Sequence, residues 1–248
     1  MSLPSVLIAA PTAEVKNYCF RNWIDNVMSF SYPNIDVFLS DNTNDYGANA
    51  KKNQTYCDDT YPGAKITIKP SMVSSKLTLL EKMAFCHNEC ATRALNQGYD
   101  YLLHLESDIF PPSDVIEQLM AESIIRPNAI IGAMYHTDEG KDRHLMVLKT
   151  INRSMFDKKF DKLRPDEEAY FVNGYLRRVF SVGLGCVLIP RHLLPKIKFR
   201  ADKKSDMAPD GYFAEDCYFR DKIEIYSHTG IMCRHDNRRW GIKGLDYK

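Results

Sequence analysis

Three short segments carry residue types and spacings that can do chemistry. Glu106-Ser107-Asp108 follows the unbroken apolar run Tyr101–Leu105. Two carboxylates at i and i+2 beyond a buried strand point the same way across one small residue. That geometry suits a hard divalent cation, Mg²⁺ or Mn²⁺, which takes a few carboxylates and completes its shell with substrate phosphate oxygens. Phe213-Ala214-Glu215-Asp216 places adjacent carboxylates at the expected start of a helix, where the dipole favours their ionised forms. They read either as simple helix capping or as a general base, Asp216 with Glu215 beside it, facing an acceptor hydroxyl. Cys233-Arg234-His235-Asp236 ends the apolar run Gly230-Ile231-Met232, where the imidazole of His235 could join the carboxylates on the metal.

An acid-x-acid triplet alone is common in solvated turns, so the elements around it decide its weight. Ser5–Ala10 ends at Pro11 and reads as a buried parallel strand. Phe20, Trp23, Ile24 and Val27 recur at helical spacing until Tyr32-Pro33. Ile35–Leu39 is a second strand, running into Ser40-Asp41-Asn42-Thr43, and Ala64–Ile68 a third; residues 46–63 between them read as loop or weak helix. The longest helical stripe joins Leu77, Leu80, Ala84, His87, Ala91 and Ala94, with Thr78 and Glu81 as a capping box and Gly98 as its stop. His87 on that stripe reads as a core histidine. Tyr101–Leu105 is a fourth strand. Strand–helix alternation of this kind predicts a mostly parallel sheet with helices on both faces, and ligands then bind beyond the carboxyl ends of the strands.

The second half is less regular. Ser113–Ile125 reads as a helix capped by Ser113, Ala129–Met134 as a strand, and Leu145–Ile151, Leu176–Val182 and Cys186–Ile189 as strands in mixed pairing. Residues 152–170 form a charged insertion, Phe213–Asp221 a last helix, Glu224–Tyr226 a strand, and the chain from Ile231 onward an irregular tail. The reading is one domain, with a nucleotide-type half over 1–110 and an acceptor half with the tail over 111–248.

Composition narrows the class. The 248 residues carry 33 Lys+Arg against 32 Asp+Glu, a formal net charge of +1 that argues against nucleic-acid binding through bulk electrostatics. No apolar run approaches the roughly 20 residues of a membrane helix. The seven cysteines are odd in number and irregular in spacing, and Met1–Ala10 lacks a cationic start, which points to a reducing, cytoplasmic setting. Cys86, His87 and Cys90, with Cys233 and His235, match structural zinc spacings poorly.

In order along the chain stand a strand with Pro11-Thr12, a strand ending Ser40-Asp41-Asn42-Thr43, a strand ending Leu105-Glu106-Ser107-Asp108, the segment Val182-Gly183-Leu184-Gly185-Cys186, Glu215-Asp216 and His235. That order resembles the GT-A-fold glycosyltransferases, nearest the family 2 type, over about residues 4–241. The resemblance implies an α/β, Rossmann-like mixed sheet flanked by helices, and a metal-dependent transfer from a nucleoside-diphosphate sugar, a UDP-sugar first among them. Pro11, Thr12 and Glu14 would line the nucleoside pocket. Asp41 and Asn42 would contact base or ribose. Glu106 would face ribose and metal, Asp108 and His235 would hold Mn²⁺ or Mg²⁺, and Asp216 would be the base of an inverting reaction. The triplet reads Glu-Ser-Asp rather than Asp-x-Asp, which leaves coordination by Glu106 open. Asp236-Asn237-Arg238-Arg239-Trp240 lacks the leading Gln of the Gln-x-x-Arg-Trp signature, which speaks against processive synthesis.

Arg234, Arg238, Arg239 and Lys243 could close over the phosphates or be a solvated terminus. Two basic runs, Lys158/Lys159/Lys162/Arg164 and Lys196/Lys198/Arg200/Lys203/Lys204, are interleaved with Asp157, Asp161, Asp202 and Asp206. They read as two solvated charged loops, with a carbohydrate, a lipid-linked sugar or a protein side chain as the acceptor; facing the acceptor groove together, they would suit a polyanionic acceptor such as modified DNA. A sugar-nucleotide nucleotidyltransferase would need a Gly-rich, cationic loop after the first strand, which Ala9–Glu14 lacks. A metal-dependent hydrolase and a non-catalytic nucleotide-sugar-binding module complete the alternatives.

Overall fold

The chain is described by a computed structural model covering residues 3–74, 76–139, 142–150, 160–163, 165–205 and 207–236. Its first half alternates as expected: β1 (Val6–Thr12), α1 (Asn17–Met28), β2 (Ile35–Asp41), α2 (Ala48–Thr60), β3 (Ile66–Pro70), α3 (Leu79–Asn96) and β4 (Tyr101–Leu105). Then come β5 (Ile109–Phe110), α4 (Val115–Ile125), β6 (Ala129–Glu139), β7 (Asp142–Leu145), β8 (Val147–Thr150), β9 (Phe160–Lys162), α5 (Pro165–Phe171), β10 (Leu176–Val179), β11 (Ser181–Val182), β12 (Cys186–Pro190), α6 (Pro209–Glu215) and β13 (Glu224–His235). The main sheet runs β10-β13-β6-β12-β4-β1-β2-β3. Its β3-β2-β1-β4 half is wholly parallel. β12 is antiparallel to both neighbours, and β13 lies parallel to β6.

Strand alternation splits the core into two layers. Val6, Ile8 and Ala10 of β1 face the layer built from Phe20, Trp23 and Ile24 of α1 and Ile116 and Leu119 of α4. Leu7 and Ala9 face the layer of Ala84, Cys90 and Ala91 from α3 and Phe213 from α6. Successive residues on a strand point to opposite faces, so a strand apolar throughout requires helices on both.

Several local readings hold in detail. Thr78 Oγ1 accepts from the Glu81 amide at 3.2 Å and Glu81 returns a carboxylate to the Thr78 amide at 2.8 Å, the full capping box. Of the two readings of residues 46–63, loop or weak helix, the helix holds over Ala48–Thr60; Asn49, Ala50, Asn53 and Cys57 face inward, and the asparagines leave no apolar stripe to read. Others are corrected. Asp114, not Ser113, precedes the first turn of α4; the Ser113 carbonyl instead accepts from the Ser31 amide at 2.9 Å. The strand at Glu224 continues through the supposed tail to His235, with a break in register between His228 and Met232. All seven cysteines are buried with free thiols. Among the described residues no helix is long and apolar enough to cross a membrane.

His87 and His104 meet in the α3 layer. His104 Nδ1 lies 2.7 Å from the Leu184 carbonyl and so carries the proton, leaving Nε2 to accept from His87 Nδ1 at 2.7 Å. Phe199 packs on both rings. Burial holds His87 well below the usual imidazole range and brings His104 down to about 4. The unfolded chain therefore binds protons first, and the stability from these neutral rings is complete above about pH 6.5 and is lost as pH falls toward 4. Each histidine contributes a slope of up to about 1.4 kcal/mol per pH unit. Denaturant midpoints should fall across that window, with a shallower acid limb in His104→Gln.

Candidate active site

The site is built at the carboxyl ends of β1, β2 and β4, and its geometry starts with amides. Pro11 and Thr12 close β1 in register with Ser40 and Asp41, and the Asn42 amide donates to the Thr12 carbonyl at 2.9 Å. Buried Asp41 accepts from the Thr43 amide at 2.9 Å and its hydroxyl at 2.5 Å on one oxygen, and from Asn49 Nδ2 at 2.8 Å on the other. Thr43 Oγ1 in turn accepts from the amide of Glu14, whose side chain is exposed. Asn49 accepts from Asn17, and Asn17 from Asn53. This chain of amides ties α1, α2 and β2 to the short 3₁₀ turn Glu14–Lys16. Asn17, Asn49 and Asn53 were not singled out as site residues. Three Asn in otherwise helical stretches was the available signal, because a buried amide is retained only where its bonds are met.

That turn delivers Lys16 to the acid triplet. The Lys16 ammonium pairs with Asp108 Oδ2, and the Asp108 side chain is wholly buried. From the other side β5 pairs with the end of β13, Ile109 opposite His235, and the Asp236 amide donates to the Asp108 carbonyl at 2.8 Å. His235 Nε2 thereby lies 3.6 Å from the same Asp108 oxygen, while Nδ1 is held at 2.9 Å by the His136 carbonyl. Tyr18 donates to the Asp236 carbonyl at 2.6 Å and locks the strand end.

Charge follows from this placement. Burial alone would raise the Asp108 carboxyl, but His235 and Lys16 outweigh it and hold it below its ordinary range. Burial opposes a charged His235, and Asp108 outweighs that and raises it. Glu106 is pushed up to about 7 by burial and then by Asp108, with Lys16 opposing. A third carboxylate, Asp210 in the first turn of α6, also raises Glu106 and is itself raised by burial. Sequence reading missed Asp210. Pro209 at the helix start was the overlooked signal, since proline favours the first helical position.

Because α6 begins at Pro209, Glu215 and Asp216 lie at its far end, where a turn of π-helix (Asp216–Asp221) takes over. The N-terminal dipole expected to hold them does not act there. Arginines do it instead. Arg200 grips Asp216 with two bonds of 3.0 Å, Arg220 adds a third at 3.1 Å, and Glu215 stands 3.9 Å from Arg200. Arg234 lies over the Phe110 ring. Arg238, Arg239, Lys243, Lys158, Lys159 and Arg164 fall outside the described residues.

The residues fit a divalent cation in part. Asp108 Oδ1 is buried without a hydrogen-bond partner, and Asp108 and His235 converge. A cation such as Mg²⁺ needs few protein ligands when phosphates and water fill its shell. Among the described residues no third His, Cys, Asp or Glu completes a ready-made cluster; the third neighbour of Asp108 is Lys16.

No protein-family profile matches the chain, and no curated protein matches it in sequence. Solved structures do. The crystal structure of GalNAc-T7 with UDP, GalNAc and Mn²⁺ matches 94% of this chain with a TM-score of 0.63 at 9% identity. The chain spans 44% of that protein's length. The crystal structure of A197 from STIV matches 93% of this chain, and 85% of its own, with a TM-score of 0.53 at 16% identity.

The chain has a GT-A-like fold. In this fold the segment Val182–Cys186 closes the site from the β12 side. The Gly185 carbonyl accepts from the Glu106 amide at 3.0 Å, and its own amide donates to Tyr135 Oη at 3.2 Å. A methyl at Gly185 would meet Tyr135 Cζ at 2.6 Å and Ile109 Cγ1 at 3.0 Å. Tyr135 in turn packs edge-on against His235 at 5.4 Å. Gly185→Ala should therefore cost about 1–3 kcal/mol of stability in denaturant titrations. It should also shift the His235 imidazole resonances, because the ring that buttresses them must move.

Proposed function

We propose that this chain is a glycosyltransferase of the family 2 type, moving a sugar from a nucleoside diphosphate, UDP foremost, to an acceptor hydroxyl. The observation that carries the reading is the convergence of Asp108, His235 and Lys16 beyond the parallel strand ends. A paired carboxylate and imidazole there suit a cation and a diphosphate together. The GalNAc-T7 structure, which holds UDP and Mn²⁺, supports it through the shared fold.

In this reading Pro11, Thr12, Glu14 and Asn42 border the nucleoside. Asp41 shapes the same wall, because both its oxygens are engaged within the protein. Asp108 and His235, with Glu106 beside them, would hold Mn²⁺ or Mg²⁺. Such an ion supplies charge stabilisation for the departing diphosphate. Lys16 adds a fixed cation on the same side, and Arg234 lies at the rim.

In an inverting transfer the acceptor oxygen attacks the sugar carbon, the bond to the diphosphate breaks with its electron pair, and a carboxylate takes the acceptor proton. Asp216 is the residue expected for that last role. Arg200 and Arg220 already engage both of its oxygens, whereas burial raises the affinity of Asp210 for a proton, and its charge bears on Glu106. We assign the proton to Asp210 and a positioning role to Asp216 and Glu215. The acceptor is assigned as a carbohydrate rather than modified DNA, since Arg200 is engaged by Asp216 and Lys203 lies 3.8 Å from Glu81. Those pairings weaken the basic run as a phosphate-binding surface.

One observation favours a second reading. Lys16 puts a cation after β1, where a nucleotidyltransferase needs one. Product analysis separates the two. Transfer or hydrolysis releases nucleoside diphosphate from the nucleotide sugar, whereas nucleotidyl transfer forms nucleoside triphosphate from it and pyrophosphate.

Asp108→Ala should abolish metal-dependent turnover across a nucleotide-sugar panel. Asp210→Asn should lower transfer about 10²–10⁴-fold while nucleotide binding holds. Asp216→Asn should lower the melting temperature by loosening two guanidinium contacts. Equal transfer by Asp210→Asn and the parent, with loss in Asp216→Asn alone, returns the proton to Asp216.

A further inference from the structure

Lys16 is held where a metal would compete for its partner. The 3₁₀ turn that carries it closes on the Ala13 carbonyl through the Lys16 amide at 2.8 Å and on Thr43 through the Glu14 amide. Asn17, next in the chain, belongs to the buried amide chain. The backbone is therefore fixed, and the four-carbon side chain carries the freedom. Its ammonium contacts the one Asp108 oxygen that also faces His235.

We propose that Lys16 is an exchangeable internal counter-ion. Without metal its ammonium neutralises the buried Asp108 carboxylate, which a protein interior cannot hold unpaired. A divalent cation on that oxygen repels the ammonium, so Lys16 must withdraw for the cation to bind. The Lys16 side chain is 19% exposed, against none for Asp108, so a route toward solvent exists on its side. A diphosphate at the strand ends gives the withdrawn ammonium a new anionic partner. Metal and nucleotide are then coupled through Lys16: each binds better when the other is present, by the same factor. This proposal rests on the reading of the site as a cation–diphosphate site.

Mn²⁺ binding to the intact protein, followed by the electron paramagnetic resonance signal of free Mn²⁺ with and without UDP, tests it independently of turnover. Lys16→Met should bind Mn²⁺ alone about tenfold more tightly than the parent, and UDP should then improve that affinity by a smaller factor. Lys16→Arg, which keeps the charge, should resemble the parent. In the unsubstituted protein Mn²⁺ alone should speed acetylation of Lys16, read by mass spectrometry, a measurement that needs no variant to fold. Mn²⁺ binding that Lys16→Met leaves unchanged or weakens, or Lys16 acetylation indifferent to Mn²⁺, overturns the counter-ion role and leaves the site reading standing. Failure of every form to bind Mn²⁺, with or without UDP, overturns both.

Discussion

The structure turns on a buried carboxylate. Asp108 is sealed from water between the end of β4 and the end of β13, and an ionised carboxylate there needs opposite charge and hydrogen bonds around it. Each neighbouring element supplies part of that need. The 3₁₀ turn after β1 brings Lys16, the last residue pair of β13 brings His235, and the Asp236 amide holds the Asp108 carbonyl. Removing either side chain leaves the buried carboxylate with only the other beside it.

Everything further out serves the placement of those three side chains. Two apolar layers hold the parallel strands flat against α1 and α4 on one face and α3 and α6 on the other. Polar rather than apolar contacts then set the loops. Asp41, Thr43, Asn49, Asn17 and Asn53 fix the turn that carries Lys16. The His104–Leu184 bond secures the neighbouring loop, whose Gly185 meets Glu106 and Tyr135. Apolar burial supplies cohesion without direction. Hydrogen bonds supply direction, and they cluster where the chemistry is.

The first half was legible because its signals are periodic and uninterrupted. β4 falls on Tyr101–Leu105 as read, and α3 carries the capping box as read. Legibility failed where polar groups do structural work. α2 turns asparagines inward, so it lacks an apolar stripe. Only Glu224–Tyr226 of β13 reads as a strand and the chain from Ile231 as a tail, because polar Arg234, His235 and Asp236 follow Gly230, yet pairing with β6 and β5 across a break in register makes the strand twelve residues long. The helix at Glu215-Asp216 starts at Pro209, and that shift exchanged a dipole for two arginines and put Asp210 in the first turn, where its charge bears on Glu106.

The sequence by itself determined the alternation of strands and helices, the two-faced parallel sheet and the acid triplet at the mouth of β4. Those features are written in spacing along one segment, and spacing is a local property. Only the tertiary structure decided which distant groups surround the triplet. It chose Lys16 as the neighbour of Asp108, set His235 across from it, and took Asp216 into an arginine clamp. Such choices depend on which charges share a desolvated volume, and no spacing along the chain encodes that.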